Sequence, residues 1–307
     1  MVEVSIIILA YNGIDLTLEV LANLAQLDLT RIKAETIIVD NASKDDTVAK
    51  LRQYKLSNMP FRLIENKINL GFAAGNNVGI DIAIKSAADY ILLLNNDVIL
   101  SKNLVKVLTE TAEKDDRIGA VAPKMYFAKG FEFHKDRYKA SELGKVIWYA
   151  GGILDKNNVY SNHRGVDEVD REQYDKEEET DFACGACVLL RSRALKEVGY
   201  LKGNYFLYWE DTELCQRMKS AGWKIIYTPH TYLWHKVSVA AGGPGGETND
   251  YFLSRNRLAF GMQYCRLRTK LALLMDSLRL LIKGRKWQKI GVVDFYLGRM
   301  GKGSWGK

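Results

Sequence analysis

The first 125 residues alternate short apolar runs, rich in β-branched residues, with longer stretches of helical periodicity, and few folds accept that order. "VSIIIL" precedes a helical pattern near 15 to 26, "TIIVD" one near 45 to 55, "FRLI" one near 72 to 86 and "YILLLN" one near 102 to 114, before a last run, "GAVAP". Strands alternating with helices at this spacing predict an α/β fold, a doubly wound and mostly parallel sheet with helices on both faces. Ligands of such sheets gather at the C-terminal ends of the strands, in the crevice where strand order reverses.

The chain has 307 residues, 47% of them hydrophobic, enough for one large core with an appendage. Residues 128 to 180 are rich in charge and turn formers and read as loops around a short hairpin within "VIWYAGGILDKNNVY". A strand ("FACGACVLL"), helices near 192 to 198 and 211 to 221, and a strand "KIIYT" ending at Pro229 follow. The glycine-rich "AAGGPGGE" at 240 to 247 reads as a mobile cover for a ligand. Residues 249 to 299 read as helices, with Leu271, Leu274, Met275, Leu278, Leu281 and Ile282 on one stripe and basic residues on another. The expected organisation is therefore a domain over 1–248, split into halves at 1–125 and 126–248, and a basic helical region over 249–307.

Composition narrows the function classes. Residues 266 to 289 carry eight basic residues and one acid, enough to account for the whole formal charge of +7, so the rest is balanced and nucleic acid is not an expected partner. The N-terminal apolar run reads as a strand rather than a signal peptide, and no run approaches the roughly 18 apolar residues of a membrane span. Four cysteines are too few for a disulfide scaffold, which suits a reducing, cytoplasmic setting. Cys184 and Cys187 form a C-x-x-C with no second pair to complete a zinc site, and read as buried small hydrophobes.

Four loops leave the first four strands, with tips at Tyr11-Asn12, Asp40-Asn41-Ala42-Ser43, Asn66 to Gly75 and Asn95-Asn96-Asp97. Any one of them is ordinary turn chemistry. Together on one edge of one sheet they outline a polar site, although they do not name its ligand. The dinucleotide fingerprint G-x-G-x-x-G is absent after the first strand, which excludes a nicotinamide-dependent dehydrogenase.

The segments "VSIIILAYNG", "IIVDNASKDDT", "NLGFAAGNNVGI", "ILLLNNDV", "GACVLLRSRALKEVG" and "FLYWEDTELCQRMKSAGWKIIYTPHTYLWH" resemble the inverting, nucleotide-sugar-dependent glycosyltransferases of family 2, with the GT-A fold. The likeness covers about residues 2 to 260 and is nearest to rhamnosyltransferase-like members that build bacterial surface polysaccharides. It implies that Asp97 is the surviving carboxylate of an acidic strand-end motif, a ligand for Mg²⁺ or Mn²⁺ beside the donor diphosphate, and that His235 approaches that metal or diphosphate from the far side. Asn95 or Asn96 would bond ribose or sugar. Ala10, Tyr11 and Asn12 would line the nucleotide, Asp40 would accept from a base N–H, and Asn69, Gly71 and Gly75 would close over base and phosphates. Arg255 would reach the diphosphate. On the acceptor side Asp211 matches the general base, Glu210 would orient it or the acceptor, Trp209 would offer a face to a sugar ring, and Gly185 and Ala186 would line the acceptor.

These residues imply a single displacement with inversion, from a nucleotide-sugar donor to a hydroxyl of a saccharide or lipid-linked saccharide. Thymidine-linked rhamnose is the expected donor by likeness alone. The basic stretch 266–289 suggests peripheral contact with an anionic inner membrane. A non-catalytic sugar-nucleotide-binding module and a sugar nucleotidyltransferase are the alternatives. The second lacks its glycine-rich basic loop, and retention of both Asp97 and Asp211 argues against the first.

Overall fold

The computed structural model describes residues 1–237 and 246–306. Its first part follows the strand–helix alternation closely: β1 (Val2–Ala10), α1 (Ile14–Leu24), β2 (Ile32–Asp40), α2 (Thr47–Gln53), β3 (Phe61–Glu65), α3 (Gly71–Lys85), β4 (Tyr90–Asn95), β5 (Val98–Leu100), α4 (Leu104–Glu113) and β6 (Ile118–Phe127). The runs are continuous rather than alternating because both faces of a parallel sheet are covered. Ile6, Ile7 and Ile8 of β1 and Ile91 and Leu92 of β4 are fully buried.

The second part supplies β7 (Ile147–Tyr149), a hairpin of β8 (Gly152–Asp155) with β9 (Tyr160–His163), β10 (Glu178–Glu179), β11 (Cys187–Arg191), α5 (Ser192–Val198), α6 (Glu210–Ser220) and β12 (Lys224–His235). Helices α7 (Glu247–Tyr264), α8 (Leu267–Lys283) and α9 (Lys286–Tyr296) complete the described chain. The large sheet runs β10-β12-β6-β11-β4-β1-β2-β3. β1 to β4 are mutually parallel, so their C-terminal ends share one edge, and order reverses between β1 and β4.

Two features depart from the sequence reading. β11 inserts between β4 and β6 and is antiparallel to both, so "GAVAP" is not the next parallel neighbour of "YILLLN". Pro229 does not end a strand: β12 continues to His235, and its ladder with β6 breaks register between Thr228 and Tyr232, where the missing N–H is accommodated. The glycine-rich segment at 240–247 lies, except for Gly246 and Glu247, outside the described residues.

The C-terminal helices share a core with the middle of the chain. Leu258, Phe260, Leu273 and Val292 pack with Val159, Tyr205 and Trp209. The stripe expected on α8 faces solvent, with Leu271, Met275, Leu278 and Ile282 exposed, while Thr269, Leu273 and Ser277 turn inward. All four cysteines are free and buried.

Candidate active site

The strand register sets the site. Ala10 pairs with Asp40, Asp40 with Glu65 and Leu9 with Asn95, so the tips stand side by side. Asn41 donates its backbone N–H to the Ala10 carbonyl at 2.7 Å, and its side chain donates to Asn69 Oδ1 (3.0 Å) and accepts from the Leu70 N–H (3.0 Å). Asn12 spends its side chain on the neighbouring loop, accepting the Lys44 N–H at 2.8 Å, and Asn69 accepts the Gly71 N–H at 2.8 Å. These asparagines brace loop to loop rather than point free.

Tyr11 is exposed at the rim. Asp40 accepts the Ser43 N–H through Oδ2 (3.0 Å) and leaves Oδ1 buried without a partner. A buried acceptor left open in this way suits an incoming N–H donor.

Gly71 and Gly75 owe their identity to packing. Gly71 has φ +79°, and an added Cβ would stand 2.5 Å from Phe206; at Gly75 it would stand 2.6 Å from Leu9. The space each leaves is filled by protein.

Asp97 follows β4 and is held by β12. His235 pairs with Val98 across the β5–β12 ladder, which brings its Nε2 to 3.0 Å from Asp97 Oδ1, both side chains buried. Trp148 packs edge-on against the His235 ring at 4.3 Å. Asp97 Oδ2 accepts no hydrogen bond from the described residues, and His235 Nδ1 is buried and unpaired. Among the described residues no three His, Cys, Asp or Glu side chains could hold a metal. A cation here would therefore need phosphate oxygens and water for most of its ligands, which suits Mg²⁺ or Mn²⁺ bound together with a diphosphate. Asn96 turns away from this pair and donates to Thr17 Oγ1 at 3.1 Å.

The acid pair opens α6. Asp211 accepts the Gly185 N–H at Oδ2 (3.0 Å) and the Thr212 N–H at Oδ1 (2.6 Å). Ala186, the next residue, accepts the Asn95 N–H at 2.9 Å, so the end of β4 and the Asp211 clamp are joined by two hydrogen bonds and one peptide. Asp97, two residues past Asn95, thus shares its edge of the sheet with Asp211. Gly185 is a close approach: a Cβ there would meet the Phe72 ring at 3.2 Å.

Burial raises the carboxyl of Asp211 above its usual range, opposed by the hydrogen bonds from Gly185 and Thr212. It raises Glu210 further, with the charge of Asp211 adding to the effect, and Glu210 Oε2 has no partner. Cys184 beside them is pushed well up by burial, as an inert thiol would be.

Two expected site residues lie elsewhere. Arg255 is fully buried in α7 and does not reach the crevice: it donates to the Tyr205 carbonyl (3.0 Å) and to the Gly301 carbonyl (2.7 Å), tying the chain's end to the middle. Trp209 is 6% exposed and packed on Phe260 at 4.9 Å, so it offers no open face for a sugar to stack on. Asn256, which sequence reasoning passes over, donates to the carbonyls of Tyr205 (3.0 Å), Leu207 (2.8 Å) and Tyr208 (2.9 Å). It holds a loop where Phe206, Tyr208 and Trp209 all have positive φ immediately before the acid pair. An asparagine inside a helix carries no local signal of such a task.

A mostly parallel sheet with an acid just past β4 and an acid pair tied to the turn before β11 is the layout of the GT-A fold. Solved structures agree on the fold: GalNAc-T7 with UDP, GalNAc and Mn²⁺ superposes with a TM-score of 0.61 at 14% identity, over 90% of this chain and 54% of that one. The mannosyltransferase PcManGT from Pyrobaculum calidifontis, in complex with GDP-Man and Mn²⁺, superposes with 0.56 at 14% identity, over 99% and 87%. Residues 5–199 match the model of glycosyl transferase family 2, and the chain belongs to that family. An N-acetylglucosaminyl-diphospho-decaprenol L-rhamnosyltransferase of Mycobacterium tuberculosis is 26% identical over 231 residues, 71% of this chain and 72% of the relative.

Proposed function

We propose that the protein transfers a sugar, with inversion, from a nucleoside-diphosphate donor to a hydroxyl of a saccharide or lipid-linked saccharide in surface polysaccharide synthesis. The observation that carries the reading is the link from Asn95 through Ala186 and Gly185 to Asp211, which ties that carboxylate to the strand end that bears Asp97. Asp211 removes the proton of the acceptor hydroxyl as its oxygen bonds to the anomeric carbon. The bond from that carbon to the diphosphate oxygen breaks, and the electron pair leaves with the nucleoside diphosphate. Attack and departure on opposite faces invert the configuration.

Asp97, oriented by His235, would hold a divalent cation, which supplies neutralisation of the charge that builds on the departing diphosphate. Asp40 Oδ1 would accept an N–H of the base. Rhamnose carried on thymidine diphosphate is the donor we put first; the named activity of the mycobacterial relative supports the sugar, and the nucleotide is left to the test.

The test is incubation of the full chain and Mn²⁺ with thymidine-, uridine- and guanosine-linked sugars and an N-acetylglucosaminyl-diphospholipid. Release of one nucleoside diphosphate with a product of inverted anomeric configuration by NMR is the expected result. A retained configuration rules out the single displacement, and the absence of any turnover or nucleotide binding rules out the enzyme.

A further inference from the structure

Helix α8 turns a row of large apolar side chains to solvent. Leu267, Leu271, Met275, Leu278 and Ile282 are between 54% and 74% exposed, and at about 100° per residue they fall on one stripe. Val293, Tyr296 and Leu297 add exposed apolar surface at α9, which Tyr296 joins to α8 through a 2.6 Å hydrogen bond with Ser277.

The same spacing sets Arg268, Arg279 and Lys283 along one border of the stripe and Lys270 on the other. The neighbouring acids are already paired, Asp276 with Arg257, Asp250 with Arg285 and Asp294 with Arg299. Among the described residues Arg268, Arg279 and Lys283 make no ion pair, so the border carries uncompensated positive charge.

We propose that this face docks on an anionic lipid bilayer, the stripe entering the interface and the basic border meeting the head groups. Charge selects this occupant over a second copy, since a two-fold contact through the stripe would oppose the same cations to one another. No helix among the described residues is long and apolar enough to cross a membrane, so the contact is with the surface.

A cavity of about 500 Å³ opens behind the border, lined by Arg279 and Lys283 on one side and Tyr160, Trp209 and Arg257 on the other. Trp209, the residue preceding Glu210, forms part of its wall.

Co-sedimentation of the full chain with phosphatidylglycerol–phosphatidylcholine vesicles and with pure phosphatidylcholine vesicles tests the proposal without substrate. Wild type should pellet strongly with the first and weakly with the second. Arg279→Gln with Lys283→Gln should lower the partition coefficient on anionic vesicles roughly 30-fold. Leu271→Glu, Met275→Glu and Leu278→Glu together should abolish binding while leaving thermal melting and donor hydrolysis in solution unchanged, since those side chains are exposed and remote from the acids.

Equal pelleting of wild type and the triple variant overturns the docking, as does equal binding to both lipids. A wild-type dimer in sedimentation equilibrium that the triple variant dissolves assigns the stripe to self-association and overturns it too. An enzyme that hydrolyses donor yet binds no vesicles refutes docking alone; one that binds vesicles and never turns over refutes transfer alone.

Discussion

Glu210 is a buried carboxyl with one oxygen unpaired, and its neighbour is another acid. Its folded pKa lies above the ordinary 4.5, so the native state keeps the proton longer than the unfolded chain does. Stability from this group is therefore full below pH 4.5 and lost as pH rises through the raised value. Glu210→Gln should melt at a higher temperature than wild type at pH 7, with the gap closing below pH 4.5; a gap independent of pH would contradict the buried-charge explanation. Asp211 must be ionised to act as a base, and burial raises it above 3.8. The acid limb of kcat/KM should consequently fall at a pH above 3.8, and a limb at or below that value would mean the carboxyl is solvated as in a free peptide. Family likeness singles out Asp97, Asp211 and His235 by short local motifs, and the fold pairs two of them, Asp97 and His235, at 3.0 Å. Arg255 was not legible: its partners at Tyr205, Arg299 and Gly301 lie far along the chain, and only the fold shows that carbonyls surround the guanidinium.

The segment 205–209 is the element on which the acid pair depends. Positive φ at Phe206, Tyr208 and Trp209 costs free energy, and the segment persists because Asn256 and Arg255 hold the carbonyls of Tyr205, Leu207 and Tyr208 from α7. Asn256→Ala leaves those acceptors unmet and should cost about 1–3 kcal/mol of stability. It should also lower kcat, because the loop runs directly into Glu210 and Asp211; an unchanged kcat in a folded variant would separate the loop from the acid pair. Gly71→Ala forces a positive φ on a residue with a Cβ and drives that Cβ into Phe206, so a loss of about 1–3 kcal/mol is expected in denaturant unfolding. Elements one to four were readable from periodicity since each strand and helix announces itself locally. The place of β11 was not, because antiparallel pairing between β4 and β6 is decided by contacts more than sixty residues apart in sequence.

Taken whole, the chain divides its labour along one sheet. The parallel strands β1 to β4 present the polar tips and Asp97, β11 and α6 present Asp211, and α7 to α9 buttress the loop between them while turning a basic, apolar face outward. The two acids come to one edge of the sheet because β11 lies directly against β4. Calorimetric titration of Asp211→Asn with the donor nucleotide sugar, set beside its transfer rate, bears most directly on that arrangement. We expect donor affinity to stay within a few-fold of wild type while transfer falls roughly 10²–10⁴-fold. A near-normal transfer rate in that variant would remove Asp211 from the chemistry and leave the crevice without its base.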